Sequence, residues 1–217
     1  MELKFIIADD HPLFRGALRQ ALAQKARKAD IVEAGDFDTV KKLILEASDI
    51  DLLLLDLTMP GVSGLSGLVT LKSIQPALPI MIVSATDDPA TIRRALELGA
   101  SGFISKSASI EDINKAVSAV LAGDIWAPQE IDLGHEPDPE ISDLISRIRT
   151  LTPQQTRVLS MLAEGLLNKQ IAYELSVSEA TIKAHVSAVL QKLGVDSRTQ
   201  AVIRLSKIGN DSFPALN

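Results

Sequence analysis

Over the first 122 positions the apolar residues fall into two alternating patterns. Short, nearly unbroken apolar runs, KFIIA (4–8), IVEA (31–34), LLLL (52–55), IMIVS (80–84) and GFIS (102–105), read as strands buried on both faces. Between them lie helix-period stretches at residues 13–24, 37–47, 64–74, 89–98 and 110–121. In the first of these Leu13, Ala17, Leu18, Ala21 and Leu22 share a side, and Pro12 suits the opening turn. The alternation predicts an α/β fold: a five-stranded parallel sheet with helices on both faces, in a flavodoxin-like order. Ligands of such sheets sit beyond the carboxyl ends of the strands, where the strand order reverses.

The pattern changes after residue 122. Residues 123–150 read as a linker, with Pro128, Pro137 and Pro139 among acidic residues. Asp138 as a cap and Pro139 at the first position predict a short helix there, with Ile141, Leu144, Ile145 and Ile148 on one face. Residues 151–206 predict a small all-α domain. Thr152 caps a helix that begins at Pro153, buries Val158, Leu159 and Leu162 and stops before Gly165. A short helix capped by Asn168, a tight turn at Ser176 and Val177, and a longer helix capped by Ser178 then form a helix-turn-helix. On the longer helix Val186, Val189, Leu190 and Leu193 face the core, while Glu179, Lys183, Ala184 and Ser187 face outward. Residues 207–217 form a C-terminal tail.

Charge adds a direction to this layout. The chain of 217 residues has a net charge of −6, divided as −5 over residues 1–130, −3 over 131–150 and +2 over 151–217. Any nucleic-acid contact therefore belongs to the last third. There are no cysteines, which excludes disulfides and thiolate metal sites. No basic stretch precedes an apolar run at the N-terminus, and no apolar run approaches the roughly 20 residues of a membrane span. A cytoplasmic protein without a membrane partner is expected.

The chemistry gathers at four strand ends: Asp9 and Asp10, Asp56, Ser84 and Lys106. Singly, a DD pair is a solvated turn, a serine a cap and a lysine a surface group. Together, three carboxylates, a hydroxyl and an ammonium suit Mg²⁺ and a phosphoryl group, with Asp56 as nucleophile. His11 reads as a helix-start residue beside the acidic pair. In the helix-turn-helix, Lys183 and Lys192 suit phosphates, Lys183 or Ser187 suit base edges, and Lys169 and His185 offer further phosphate contacts. With a net charge of only +2, a helical interaction module with solvated lysines is an equal reading on spacing alone.

In ADDH, LLLLDLTMPGVSG, VSAT and GFISK the chain resembles the receiver domain of two-component response regulators, over roughly residues 3–122. The resemblance implies phosphorylation on Asp56, the backbone carbonyl of Thr58 as a further metal ligand, and Phe103 as an aromatic switch that reorients with Ser84. One departure is Ser107, where many receivers have proline. In LTPQQTRVL, GLLNKQIAYEL, VSEATIKAHVSAVLQKLGV and SRTQAV the chain resembles the LuxR-type DNA-binding domain of the NarL/FixJ response regulators. By position Thr181, Lys183, Ala184, His185 and Ser187 then fall on the recognition helix, while Gln154, Gln155, Arg157 and Ser187 depart from the family's usual residues. The resemblance implies a sensor histidine kinase, promoter DNA and RNA polymerase as partners. It also implies a homodimer on DNA or when phosphorylated, and at most slow autodephosphorylation rather than enzymatic turnover. Two other classes compete with this reading. One is a DNA-binding factor independent of phosphorylation, with a structural receiver. The other is an aspartyl-phosphate phosphatase, against which Thr58 stands where many such enzymes place a second acid.

Overall fold

In the computed structural model, which describes residues 3–25, 29–47, 49–62, 64–128 and 139–209, the five apolar runs become strands. They are β1 (Lys4–Ala8), β2 (Asp30–Ala34), β3 (Leu52–Asp56), β4 (Ile80–Ser84) and β5 (Gly102–Ser105). All pair in parallel, in the order β2-β1-β3-β4-β5. The order reverses at β1, so the crevice for a ligand opens at the carboxyl ends of β1 and β3. Helices α1 (Pro12–Lys25), α2 (Phe37–Glu46), α3 (Ser66–Ile74), α4 (Pro89–Glu97) and α5 (Ile110–Leu121) alternate with the strands.

Every residue of β3 and β4 is buried, which is why these strands read as continuous rather than alternating apolar runs. On one face Ile7, Leu52, Leu54, Met81, Val83 and Ile104 meet Leu18, Ala21 and Leu22 of α1 and Ile113, Ala116, Val117 and Val120 of α5. The helix starts follow from local chemistry. Asp36, Asp88 and Ser109 each accept a backbone N–H three residues on and so cap α2, α4 and α5.

Two expectations for the helices of the first unit need correction. Leu13 is 93% exposed and Ala17 is exposed as well. The inward stripe of α1 runs through half-buried Phe14 to Leu18, Ala21 and Leu22, and Leu13 is rotated about 100° from its start. Helix α3 begins at Ser66 rather than residue 64, because Gly64 has φ 55 and donates its N–H to the Leu57 carbonyl at 3.0 Å.

The chain divides into Met1–His135 and Glu136–Asn217. The second unit holds α6 (Pro139–Arg149), α7 (Pro153–Ala163), α8 (Asn168–Glu174), α9 (Glu179–Leu193) and α10 (Arg198–Gly209). Val158, Leu162, Ile171, Ala172 and Ile182 form the core of the helix-turn-helix. The predicted linker helix is α6. It packs on α9 and α10 through the buried Leu144, Ile145 and Ile148, so it belongs to this unit. Asp138, its expected cap, and the side chain of Ile141 lie outside the described residues, as do residues 210–217 of the expected tail. The rest of that tail, residues 207–209, continues α10. Leu167 occupies the cap position of α8 in place of Asn168. Its N–H is taken by the Gln170 side chain at 2.7 Å. Gly194 closes α9 in the left-handed conformation, with the Arg147 guanidinium of α6 in the space a side chain would occupy.

Candidate functional site

At the carboxyl edge of the sheet, the two adjacent strands β1 and β3 present Asp9 and Asp56, both about 1% exposed. Lys106 follows β5 and is fixed by its own N–H, which donates to the Ser84 carbonyl at 2.8 Å. Its ammonium then bridges Asp9 Oδ2 at 2.6 Å and Asp56 Oδ2 at 2.9 Å. Burial works against the charged lysine, but the hydrogen bonds to Asp9 and Asp56 outweigh it and the Lys106 pKa is raised. The ring of Phe14 lies under the same ammonium, 5.1 Å from its centroid.

The loop after β1 is tied down from several sides. The His11 N–H donates to Asp9 Oδ1 at 2.7 Å, and Arg15 Nη1 donates to the Asp9 carbonyl at 2.6 Å. The Arg15 Nε pairs with Glu33 Oε2 of β2 at 3.2 Å, and Arg19 pairs with Glu33 Oε1 at 2.9 Å. Asp10 is half-buried, 2.6 Å from His11 Nδ1. Ligand atoms of Asp9, Asp10, His11 and Asp56 all lie within 4.8 Å of one another. A cluster of carboxylate oxygens at this spacing suits a hard divalent cation such as Mg²⁺.

The predicted residues Asp9, Asp10, Asp56 and Lys106 are thus brought together. Thr58 is exposed, and its Oγ1 donates to Asp56 at 3.2 and 3.3 Å, a side-chain contact that the sequence did not suggest. Ser84 is buried one residue past the partner of Asp56 on β4, and its Oγ accepts the Thr86 N–H at 3.1 Å. Phe103 is fully buried within β5. After Lys106, the loop that departs from the usual proline is closed by Ser105 and Ser107, whose hydroxyls lie 2.8 Å apart. Phe14 and Arg15 were missed. Their signal was proximity in the chain to the DD pair.

In the second unit, Ile182, Val189 and Leu193 turn α9 inward, with Val186 and Leu190 half-buried. The opposite stripe exposes Ala180, Lys183, Ala184, Ser187 and Gln191. Among the described residues Lys183 pairs only with Glu179 on its own helix, at 3.1 Å, and its side chain is 66% exposed. Thr181 is exposed and His185 half-buried on the flank of that stripe, and Lys169 is exposed on α8. Lys192 is differently placed. Its ammonium donates to the Thr150 carbonyl at 2.7 Å and to Gln155 Oε1 at 2.8 Å. Gln155 also completes a capping box with Thr152, so one oxygen serves both the start of α7 and the end of α9.

Residues 5–118 match the family described as the response regulator receiver domain, and residues 149–205 match the luxR family of bacterial regulatory proteins. The chain is 38% identical over 211 residues to the glycerol metabolism activator of Pseudomonas putida, covering 94% of this chain and 96% of that protein. It is 34% identical to the nitrate/nitrite response regulator protein NarP of Escherichia coli, covering 91% of this chain and 92% of that one. Among solved structures it is similar to RcsB from Salmonella enterica serovar Typhimurium, bound to promoter P1flhDC in the presence of the phosphomimetic BeF₃⁻. The TM-score is 0.56 and the identity 26%, over 96% of this chain and 100% of that one.

Proposed function

The chain belongs to the NarL/FixJ family of response regulators, and from that membership we propose a transcription factor whose DNA binding is controlled by phosphoryl transfer to Asp56. One observation carries the reading: Asp56 is buried at the switch point of the sheet with a lysine ammonium bridging it to Asp9. The carboxylate of Asp56 attacks the phosphorus of a phosphohistidine on a sensor kinase, or of a small acyl phosphate. A P–O bond to Asp56 forms as the P–N or P–O bond to the leaving group breaks. Asp9, Asp10, Asp56 and the Thr58 carbonyl would hold Mg²⁺, which supplies neutralisation of the phosphoryl oxygens. Lys106 exchanges a carboxylate contact for a phosphoryl oxygen and holds it as a point charge. Ser84 leaves the Thr86 amide to donate to another oxygen, and Phe103 repacks in the space this opens.

The phosphoryl group adds about −1.5 to −2 charge and biases a receiver with two populated states. The output is a homodimer on promoter DNA in the cytoplasm, with RNA polymerase as the downstream partner. Lys183, Ala184 and Ser187 form the reading stripe, with Thr181, His185 and Lys169 at its margins and Lys192 as a brace whose ammonium faces inward. Turnover is limited to slow hydrolysis of the aspartyl phosphate.

Radiolabelled acetyl phosphate with Mg²⁺ tests the site. The wild-type chain is expected to take up label and Asp56→Asn none; label retained by Asp56→Asn would sink the assignment. Equal DNA affinity of the labelled and unlabelled wild type would instead support a factor independent of phosphorylation.

A further inference from the structure

β5 is an edge strand, and an edge strand leaves main-chain groups unpaired on its outer side. Here that side is covered by one residue from beyond α5. The Phe103 N–H donates to the Trp126 carbonyl at 2.9 Å and the Trp126 N–H donates to the Ser101 carbonyl at 3.1 Å, so Gly102 and Trp126 form a parallel bridge. The turn that delivers Trp126 is closed by the Asp124 N–H on the Ala119 carbonyl at 2.9 Å. Trp126 itself packs, half-buried, on the core shared by α1 and α5.

The fit at Gly102 is tight. A Cβ there would lie 3.1 Å from Trp126 Cβ, 3.2 Å from the Trp126 carbonyl oxygen and 3.3 Å from Val120 Cγ2. A side chain here would push the Trp126 backbone or Val120 away by a few tenths of an ångström, and glycine lets the second backbone approach this closely.

Edge protection alone would explain a paired residue at this position. Two further facts give it a direction. The amide that anchors the bridge is that of Phe103, the switch position of the proposed mechanism. The segment so anchored continues along the chain to residue 136, where the second unit begins. The geometry points to Gly102 and Trp126 as positioning residues for signal transfer. Their bridge ties the backbone of the switch residue to the segment leading into the DNA-binding unit, and repacking of Phe103 loosens that tie. The inference rests on the reading of Asp56 as phosphoacceptor.

Trp126 is the sole tryptophan of the chain, so its emission reports on the bridge in the full-length protein. Three quantities are measured on wild type, Gly102→Ala and Trp126→Ala: labelling by acetyl phosphate and Mg²⁺, tryptophan emission where the residue is present, and affinity for a duplex that the phosphorylated wild type selects from a random-sequence library. Wild-type emission is expected to shift on phosphorylation, and Gly102→Ala to show the shifted emission without it. Both variants should label normally. Their phosphorylation-dependent gain in DNA affinity, about 5- to 150-fold for a typical allosteric coupling, should fall to about 2-fold or less. Normal labelling with a wild-type gain in both variants overturns the inference alone, and Trp126→Ala decides it if Gly102→Ala does not fold. Absence of labelling in the wild type overturns the phosphoacceptor reading and this inference with it.

Discussion

Lys106 answers the electrostatic problem set by buried carboxylates at adjacent strand ends. Without a cation, Asp9 and Asp56 would each carry a charge in a place with almost no water; with the ammonium between them they are paired on both sides. Replacing Lys106 by Met should therefore destabilise the metal-free protein by about 3 kcal/mol, since it strips the partner from a buried pair. Urea unfolding checks this, and Mg²⁺ should restore part of the loss. The raised pKa of Lys106 fixes its pH window. Its contribution is complete below the unfolded value of 10.5 and is lost only as pH rises through the higher folded value, so it is constant near neutrality. Glu33 works at the other end. Hydrogen bonds from Arg19 and then Arg15 hold its pKa below 4.5, so its contribution is present above 4.5 and is lost as pH falls through the lower folded value. Glu33→Gln should flatten that acid limb in a series of melting curves below pH 5. The four charged members of the site were legible because each interrupts an apolar run or ends one. The supports were not: Phe14 reaches a lysine 92 positions later in the chain and Arg15 a glutamate 18 positions away, and no local pattern marks such a pair.

At the scale of elements, β1, β3, β4 and β5 were readable because burial leaves no polar alternation to confuse with a helix, whereas β2, expected to be buried on both faces, is a half-buried edge strand. The helix faces were less so. A stripe begun at Leu13 and one begun at Phe14 differ by a single position, and the packing against β1 and α5 decides between them. The turn of the helix-turn-helix carries a cost that its sequence hides. Ser176 joins α8 to α9 with φ 52, the one non-glycine residue with positive φ among the described residues. The Val177 N–H that follows it donates to the Ala172 carbonyl at 3.0 Å, so the geometry is required by the turn. Ser176→Gly should stabilise the second unit by about 1 kcal/mol, the strain of an L-residue in the left-handed region less the entropy that glycine adds to the unfolded chain. Thermal unfolding reads this, and a lower melting temperature would show that the serine side chain contributes more than its strain costs. Gln155 shows the opposite case, a departure from the family's usual residue that fits its surroundings. Its neutral oxygen accepts both the Thr152 N–H and the Lys192 ammonium.

For the whole molecule, the division of charge into −5 over residues 1–130 and +2 over residues 151–217 predicts how binding responds to salt. Affinity for DNA falls with salt in proportion to the phosphates that cations neutralise, with a slope of roughly −0.9 per contact. Composition counts Lys183 and Lys192 alike, but their surroundings differ. Lys183 holds an exposed ion pair with Glu179, worth little in water and readily exchanged for a phosphate. Lys192 is committed to the Thr150 carbonyl and Gln155, groups from the ends of α6 and α7. Lys183→Ala should therefore flatten the plot of log K against log salt by about 0.9 with little change in melting temperature. Lys192→Ala should lower the melting temperature by several degrees, about 1 kcal/mol for a lost charge-assisted pair of hydrogen bonds, and leave the slope unchanged. Both quantities come from one preparation of each variant, by anisotropy titrations at three salt concentrations and a thermal scan. A flattened slope in Lys192→Ala would mean that DNA draws its ammonium out of the fold, and that the start of α7 is remodelled on binding.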